Sequence, residues 1–345
     1  MASTSFLPFA FVFPGQGSQS VGMLDGWADH PEVRHVLQEA SDALGEDLTT
    51  LIRQGPKEAL ALTVNTQPAM LVADIAAYRV WMAEVGVAPA ALAGHSLGEY
   101  AALVAGGALS LSDAVRLVRF RAQAMQSAVP AGVGAMAAIL GIGGDVVAQV
   151  CAEASAESAQ PMHPDASQEA DARDIVEAVN FNDPMQTVIA GTKDAVDRAC
   201  AMLKTRGAKR AVLLPVSAPF HSSLMYPAAC QLQTRLQETP FTMPQIDVFH
   251  NVDAQPHSSA ESIREALVKQ AYHPVRWVEC IHALAGRGVR AIVECGPGKV
   301  LTGLTRRIDP SLQALALFDP ATLTETRTAL SAPASDSMPS SVTSA

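Results

Sequence analysis

Apolar residues along this chain gather into short runs broken by Gly, Pro or Ser, with stretches of helical spacing between them. The runs at 8–13 and 88–93 are continuous rather than alternating, the signature of strands covered on both faces. Helical patterns occupy 32–44 and 58–62. Thr66 then reads as the N-cap of a long helix with Pro68 in its first turn, and Met70, Ala73, Ala77 and Trp81 recur at core spacing. A helix at 99–105 follows the second strand, and Ser110 to Asp113 cap another at 114–128. From 132 the rhythm changes to strand 135–140, helix 145–154, strands 176–181 and 187–190, helix 193–206 and strand 211–216. That β-α-β-β-α-β order is ferredoxin-like, a unit that can be inserted whole into a larger domain. A strand at 247–252, a helix at 260–270, a last strand at 290–294 and a helix at 300–307 complete the pattern.

The fold class expected is therefore α/β: an α/β-hydrolase-like large domain with a parallel sheet, built from 1–131 and 217–322, carrying a ferredoxin-like subdomain at 132–216. The polar, acidic stretch from Glu157 to Asp174 reads as a mobile surface loop, and 323–345 as a tail that becomes disordered in its Ser/Pro/Ala-rich end.

Composition narrows the function. A net charge of −10 on 345 residues argues against nonspecific nucleic-acid or anionic-membrane binding. Five scattered cysteines without a CxxC pair fit reduced thiols and a cytoplasmic protein. Residues 6–13 lack a basic flank and a cleavage site, so they read as a buried strand rather than a signal peptide. No apolar run is long enough for a bilayer, and no histidine pair has metal-ligand spacing.

The chemistry centres on Gly94-His95-Ser96-Leu97-Gly98, a Gly-x-Ser-x-Gly between a predicted strand and helix. A serine on so sharp a bend needs small neighbours and faces the helix's unpaired N–H groups, so Leu97 N–H could hold an oxyanion. The alternative is a tight structural turn. His221, in the loop after 216, is the base favoured by its context. No acid between Ser96 and His221 is marked as a triad partner, so either something other than a carboxylate, such as a backbone carbonyl, orients the histidine, or the triad idea fails. Arg121 shares a helical face with Ala114, Leu117, Val118 and Met125 and so points inward. Either it snorkels or pairs within the chain, or its carboxylate partner arrives with a substrate, which a planar fork binds bidentately. Pro14-Gly15-Gln16-Gly17 is a flexible turn whose glutamine could line a pocket at a strand's carboxyl end.

Phe13-Pro14-Gly15-Gln16-Gly17-Ser18-Gln19, Thr66-Gln67-Pro68-Ala69, the 94–100 elbow, Arg121, Phe220-His221-Ser222 and Gly296-Pro297-Gly298 occur in order. Together they closely resemble the malonyl-CoA:acyl-carrier-protein transacylases of bacterial fatty-acid synthesis, over residues 8–310. The resemblance implies Ser96 as acylated nucleophile, His221 as base held by the carbonyl of Gln270, Gln16 and Leu97 N–H groups as oxyanion hole, and Arg121 gripping the malonyl carboxylate. Gln67 and Asn180 would line the site. It implies ping-pong transfer from malonyl-CoA to the phosphopantetheine thiol of acyl carrier protein. No cofactor or metal is implied, and monomer is the default. Two features depart from the usual pattern: the long 157–174 loop and the Ser-rich tail. Lys204, Arg206, Lys209, Arg210, Arg306 and Arg307 offer basic surface for an acidic carrier, or simply a solvated face. The rivals are a serine thioesterase or esterase, a non-enzymatic acyl sensor, and the acyltransferase of a polyketide or malonate-decarboxylase system. Phe220 beside His221 would crowd an α-methyl branch and leans the selectivity toward malonyl.

Overall fold

In the computed structural model, residues 6–130, 132–157, 174–216 and 218–331 are described. Most of the expected loop at 157–174 and of the tail thus falls outside the described residues. Among the described residues, nine strands form two sheets: β1 Phe9–Phe13, β2 Ala91–Gly94, β3 Gly134–Leu140, β4 Val176–Asp183, β5 Gln186–Thr192, β6 Arg210–Leu213, β7 Val248–Phe249, β8 Ala291–Cys295 and β9 Gln313–Leu317. The five-stranded sheet runs β7-β2-β1-β8-β9 with every pairing parallel. β1 lies at its centre and is buried throughout, which explains its unbroken apolar run.

The two faces of β1 seed two cores. Phe9, Phe11 and Phe13 face the long helix Thr63–Glu84, where Trp81 meets the rings of Phe9 and Phe11 edge-on at 5.7 and 5.6 Å. Ala10 and Val12 face the opposite way, onto Trp277, Ile281 and Leu284 of the helix Trp277–Gly286. Small residues on that face let the helix approach closely.

The second sheet, in order β4-β5-β3-β6, is antiparallel throughout. Helices Gly144–Glu157 and Lys193–Thr205 cover one face, with Val147, Val150, Val196 and Leu203 packed on Ala137 and Ile139. The other face carries Met136, Val179, Val188 and Ala190 beside Leu214, Val216 and Phe220. The free edge of β4 is closed by the large sheet's side of the molecule: Phe181 N–H donates to Val275 O at 3.0 Å and Val275 N–H to Val179 O at 2.8 Å. One residue on, Arg276 N–H donates to Asn251 O at 3.0 Å.

Three sequence expectations need correction. Thr66 is not an N-cap: the helix starts at Thr63 with Leu62 as its cap, and the Thr66 hydroxyl instead donates to the carbonyls of Leu60 and Leu62 at 2.6 and 3.1 Å. It closes the end of the preceding turn of helix, and Pro68 sits within the helix rather than in its first turn. The strand at 290–294 is not the last, because β9 pairs with β8 in parallel; its run Gln313-Ala314-Leu315-Ala316-Leu317 carries no β-branched or aromatic residue to mark a strand. The strand expected at 247–252 shrinks to Val248–Phe249, since His250 and Asn251 leave the sheet to bond inward.

Candidate active site

The carboxyl ends of β1, β2, β7 and β8 lie on one edge of the parallel sheet, where ligands bind in open α/β folds. β2 ends in Gly94, and Ser96 follows with φ of 52°, a left-handed conformation costly for a residue with a side chain. The bend closes only because its neighbours lack one. A Cβ on Gly94 would lie 1.9 Å from Gly98 C, and one on Gly98 2.0 Å from Phe13 O. Asn251 secures the bend from behind, accepting the Ser96 N–H on Oδ1 and donating Nδ2 to Gly94 O, both at 2.7 Å.

His221, 125 residues later, has a φ of 66° and places Nε2 at 2.7 Å from Ser96 Oγ. Its Nδ1 lies 2.7 Å from the backbone oxygen of Gln270. A carbonyl can only accept, so Nδ1 carries the proton and Nε2 is left to take the serine hydroxyl's. The ring is 3% exposed. Burial above all, then the nearby Arg121 charge, depresses its pKa to about 3, against the Gln270 hydrogen bond, which raises it. The imidazole is therefore neutral and able to act as a base at neutral pH.

Arg121 comes in on the helix Leu111–Ser127, which Ser110 caps as its sequence predicts, and is 2% exposed. Its guanidinium donates to Gln67 Oε1 at 2.8 Å, Gln270 Oε1 at 3.0 Å and Ser96 Oγ at 3.2 Å, and lies over the Tyr100 ring at 5.4 Å. Every one of these acceptors is neutral. Among the described residues it makes no ion pair, and its Nε has no hydrogen-bond partner. Burial lowers its pKa while Tyr100 and Glu99 oppose the shift. A buried cation whose direct hydrogen-bond acceptors are all neutral is a site for an anion.

These groups surround a cavity of about 120 Å³ lined by Gln16, Gln67, His95, Ser96, Leu97, Arg121 and His221 on its polar side, with Met125, Met136, Leu214, Val216 and Phe220 opposite. Asn180 also lines it, from a bulge in β4, with its Oδ1 buried and unpartnered among the described residues. The turn bearing Gln16 lies against the elbow: a Cβ on Gly15 would stand 2.6 Å from His95 O. Gln270 does not line the cavity; it stands behind, joined to His221, Arg121 and, through Nε2, to Ser96 O at 2.8 Å. A second cavity of about 240 Å³ shares Gln16, His95, Asn180 and Leu214 and extends between the two sheets toward Val300 and Leu304. All eight residues singled out in the sequence are thus brought together.

His95, next to Ser96 in the chain, lines both cavities, held by Asn182 Oδ1 at 2.8 Å, and burial lowers its pKa. Asn251 and Glu99 were missed outright. A polar pair such as His250-Asn251 ending an apolar run was the available signal. Among the described residues no group of three His, Cys, Asp or Glu is arranged to hold a metal ion.

Residues 10–307 match the acyl transferase domain family. A malonyl CoA-acyl carrier protein transacylase of Escherichia coli (strain K12) is 50% identical over 316 residues, covering 91% of this chain and 97% of that protein. The crystal structure of an acyl-carrier-protein S-malonyltransferase from Burkholderia pseudomallei 1710b superposes with a TM-score of 0.88 at 55% identity, covering 93% of this chain and all of that one. A malonyl-transacylase in complex with its type II polyketide acyl-carrier protein gives 0.86 at 47% identity, over 92% and 98% of the two chains. With a serine, an imidazole and an anion-seeking guanidinium around one small cavity, this chain belongs to the acyl transferase family and, within it, to the malonyl CoA-acyl carrier protein transacylases.

Proposed function

We propose that this protein moves a malonyl group from malonyl-CoA to the phosphopantetheine thiol of an acyl carrier protein, by way of a malonyl ester on Ser96. The observation that carries this reading is Arg121, a buried cation held only by neutral groups and within reach of Ser96 Oγ. The free carboxylate of a malonyl thioester supplies the missing charge, and its binding beside Ser96 fixes the thioester carbonyl over the hydroxyl.

The transfer runs in two halves. His221 Nε2 takes the proton from Ser96 Oγ, which attacks the thioester carbon. The oxyanion is held by the N–H groups of Gln16 and Leu97, each such donor being worth about 3–4 kcal/mol of barrier. The C–S bond then breaks and His221 returns the proton to the coenzyme A sulfur. In the second half the carrier's thiol gives its proton to His221 and attacks the malonyl ester, and Ser96 Oγ leaves with that proton. Gln67 and Gln270 hold Arg121 in register, and Asn180 faces the acyl group from the smaller unit. No step requires a cofactor.

The architecture follows the same reading. The order β4-β5-β3-β6 with two helices on one face supports a ferredoxin-like subdomain at 132–216, inserted in an α/β-hydrolase-like domain made of 1–131 and 217–322. The free cysteines, together with the absence among the described residues of any helix long and apolar enough to cross a membrane, are compatible with a monomer acting in the cytoplasm. Because one structural relative is a polyketide transacylase bound to its carrier, a polyketide carrier protein is the second acceptor to test beside that of fatty-acid synthesis.

Intact-protein mass spectrometry after mixing with malonyl-CoA tests the core of the proposal. The expected result is an adduct of malonyl mass, absent in Ser96→Ala and discharged by carrier protein. An adduct that decays equally fast without any thiol would make the protein a thioesterase.

A further inference from the structure

We infer that Glu99 is a positioning residue for this transfer, acting through Asn251 and Gln270 to hold the nucleophile, the base and the guanidinium in one geometry. The inference rests on the roles proposed above for Ser96, His221 and Arg121. Glu99 sits in the first turn of the helix Gly98–Ala105 and is 0% exposed. It does not line the Ser96 cavity.

A buried carboxylate must be saturated with donors, and the donors chosen here are informative. Oε1 accepts from His250 Nδ1 at 2.7 Å. Oε2 accepts from Asn251 N–H at 2.9 Å and from Gln270 Nε2 at 3.0 Å. His250 serves the first oxygen alone. The second oxygen goes instead to the two residues that grip the site. Asn251 brackets the elbow through Ser96 N–H and Gly94 O. Gln270 receives His221 on its backbone oxygen and Arg121 on Oε1.

The chemistry of the carboxylate explains the arrangement. It is acceptor-only, so it requires the NH₂ end of the Gln270 amide to face it, which turns Oε1 toward Arg121. With the amide reversed, two donors would meet at the guanidinium and Arg121 would lose one of its three anchors. Glu99 and Ser96 O, which takes the same Nε2 at 2.8 Å, together set the polarity of the cradle that holds the malonyl-binding fork. By fixing the Asn251 backbone Glu99 also holds the clamp on the Ser96 peptide.

Steady-state transfer from malonyl-CoA to carrier protein tests this, with melting curves for each variant. In Glu99→Leu both arms are released: kcat should fall and KM for malonyl-CoA should rise, each roughly tenfold or more. Glu99→Gln keeps an oxygen able to accept both N–H bonds and should restore both constants to within about threefold of wild type. A folded Glu99→Leu with wild-type constants, or Glu99→Gln as impaired as Glu99→Leu, overturns the inference. Should Glu99→Leu lack a native melting transition, Asn251→Ala decides. It cuts the arm to Ser96 and spares the arm to Arg121, so kcat should drop about tenfold while KM stays within about threefold. Loss in both constants or in neither overturns it. A wild-type protein that never acquires malonyl is a distinct outcome, which removes the functional reading and this inference with it.

Discussion

Replacing Arg121 by leucine separates what the guanidinium does for the substrate from what it does for the fold. The side chain is buried and its described hydrogen-bond acceptors are the neutral oxygens of Gln67, Gln270 and Ser96. In the free protein the change deletes a desolvated charge and leaves two amide oxygens without a donor. An unsatisfied acceptor costs about 1–3 kcal/mol, while removal of a poorly compensated buried cation returns several, so the net effect on stability should be small. With malonyl-CoA bound the balance is one-sided. A carboxylate held by two charge-assisted hydrogen bonds loses about 1.5–3 kcal/mol for each. The sum, about 3–6 kcal/mol, corresponds to a fall of roughly 10²- to 10⁴-fold in kcat/KM. Acetyl-CoA has no carboxylate and loses none of this. Coenzyme A release with carrier protein as acceptor, measured for both donors, should therefore show malonyl preference collapsing by about that factor while acetyl transfer is maintained. Equal losses for the two donors would mean that Arg121 acts on Ser96 alone, and the carboxylate argument would fail.

Two further outcomes follow from the geometry. Because His221 stays neutral down to about 3, the acid limb of kcat/KM should fall well below the ordinary imidazole value of about 6.5; a limb at that value would show a solvated ring. Folding responds over a higher range: between about 6.5 and 3 the unfolded chain binds the proton that folded His221 refuses, so stability declines as pH drops through that window. Gly98→Ala would set a Cβ 2.0 Å from Phe13 O, against backbone that cannot yield. Overpacking of this kind costs about 1–3 kcal/mol or more, and thermal melting should show a clear drop with loss of transfer; an unchanged melting temperature would mean that strand and helix are not in contact there.

The sequence made some of this legible and hid the rest for physical reasons. β1, buried on both sides, could be recognised because such a strand has no polar positions to blur it. The Ser110 cap and the inward turn of Arg121 were equally readable, since both depend on spacing within one helix. The buried carboxylate behind the site was a different matter. Glu99 stands three residues after Ser96 and looks like an ordinary helix-start carboxylate; its donors are His250, Asn251 and Gln270, more than 150 residues away. Thr66 misled because a threonine before a proline suits an N-cap, and only the neighbouring turn of helix shows its hydroxyl engaged elsewhere. Local rules point to the groups proposed to act. The groups that hold them depend on chain crossings that no local pattern encodes.

The seam at Val275 and Arg276 bears on how a carrier protein can deliver its arm. Val275 is stitched to β4 by two backbone bonds, and the very next amide hangs on the oxygen of Asn251, whose side chain grips the Ser96 peptide. A swing of the smaller unit away from the larger one would pull on the residue that clamps the Ser96 peptide. The two halves of the molecule are thus tied at their root beside the elbow itself.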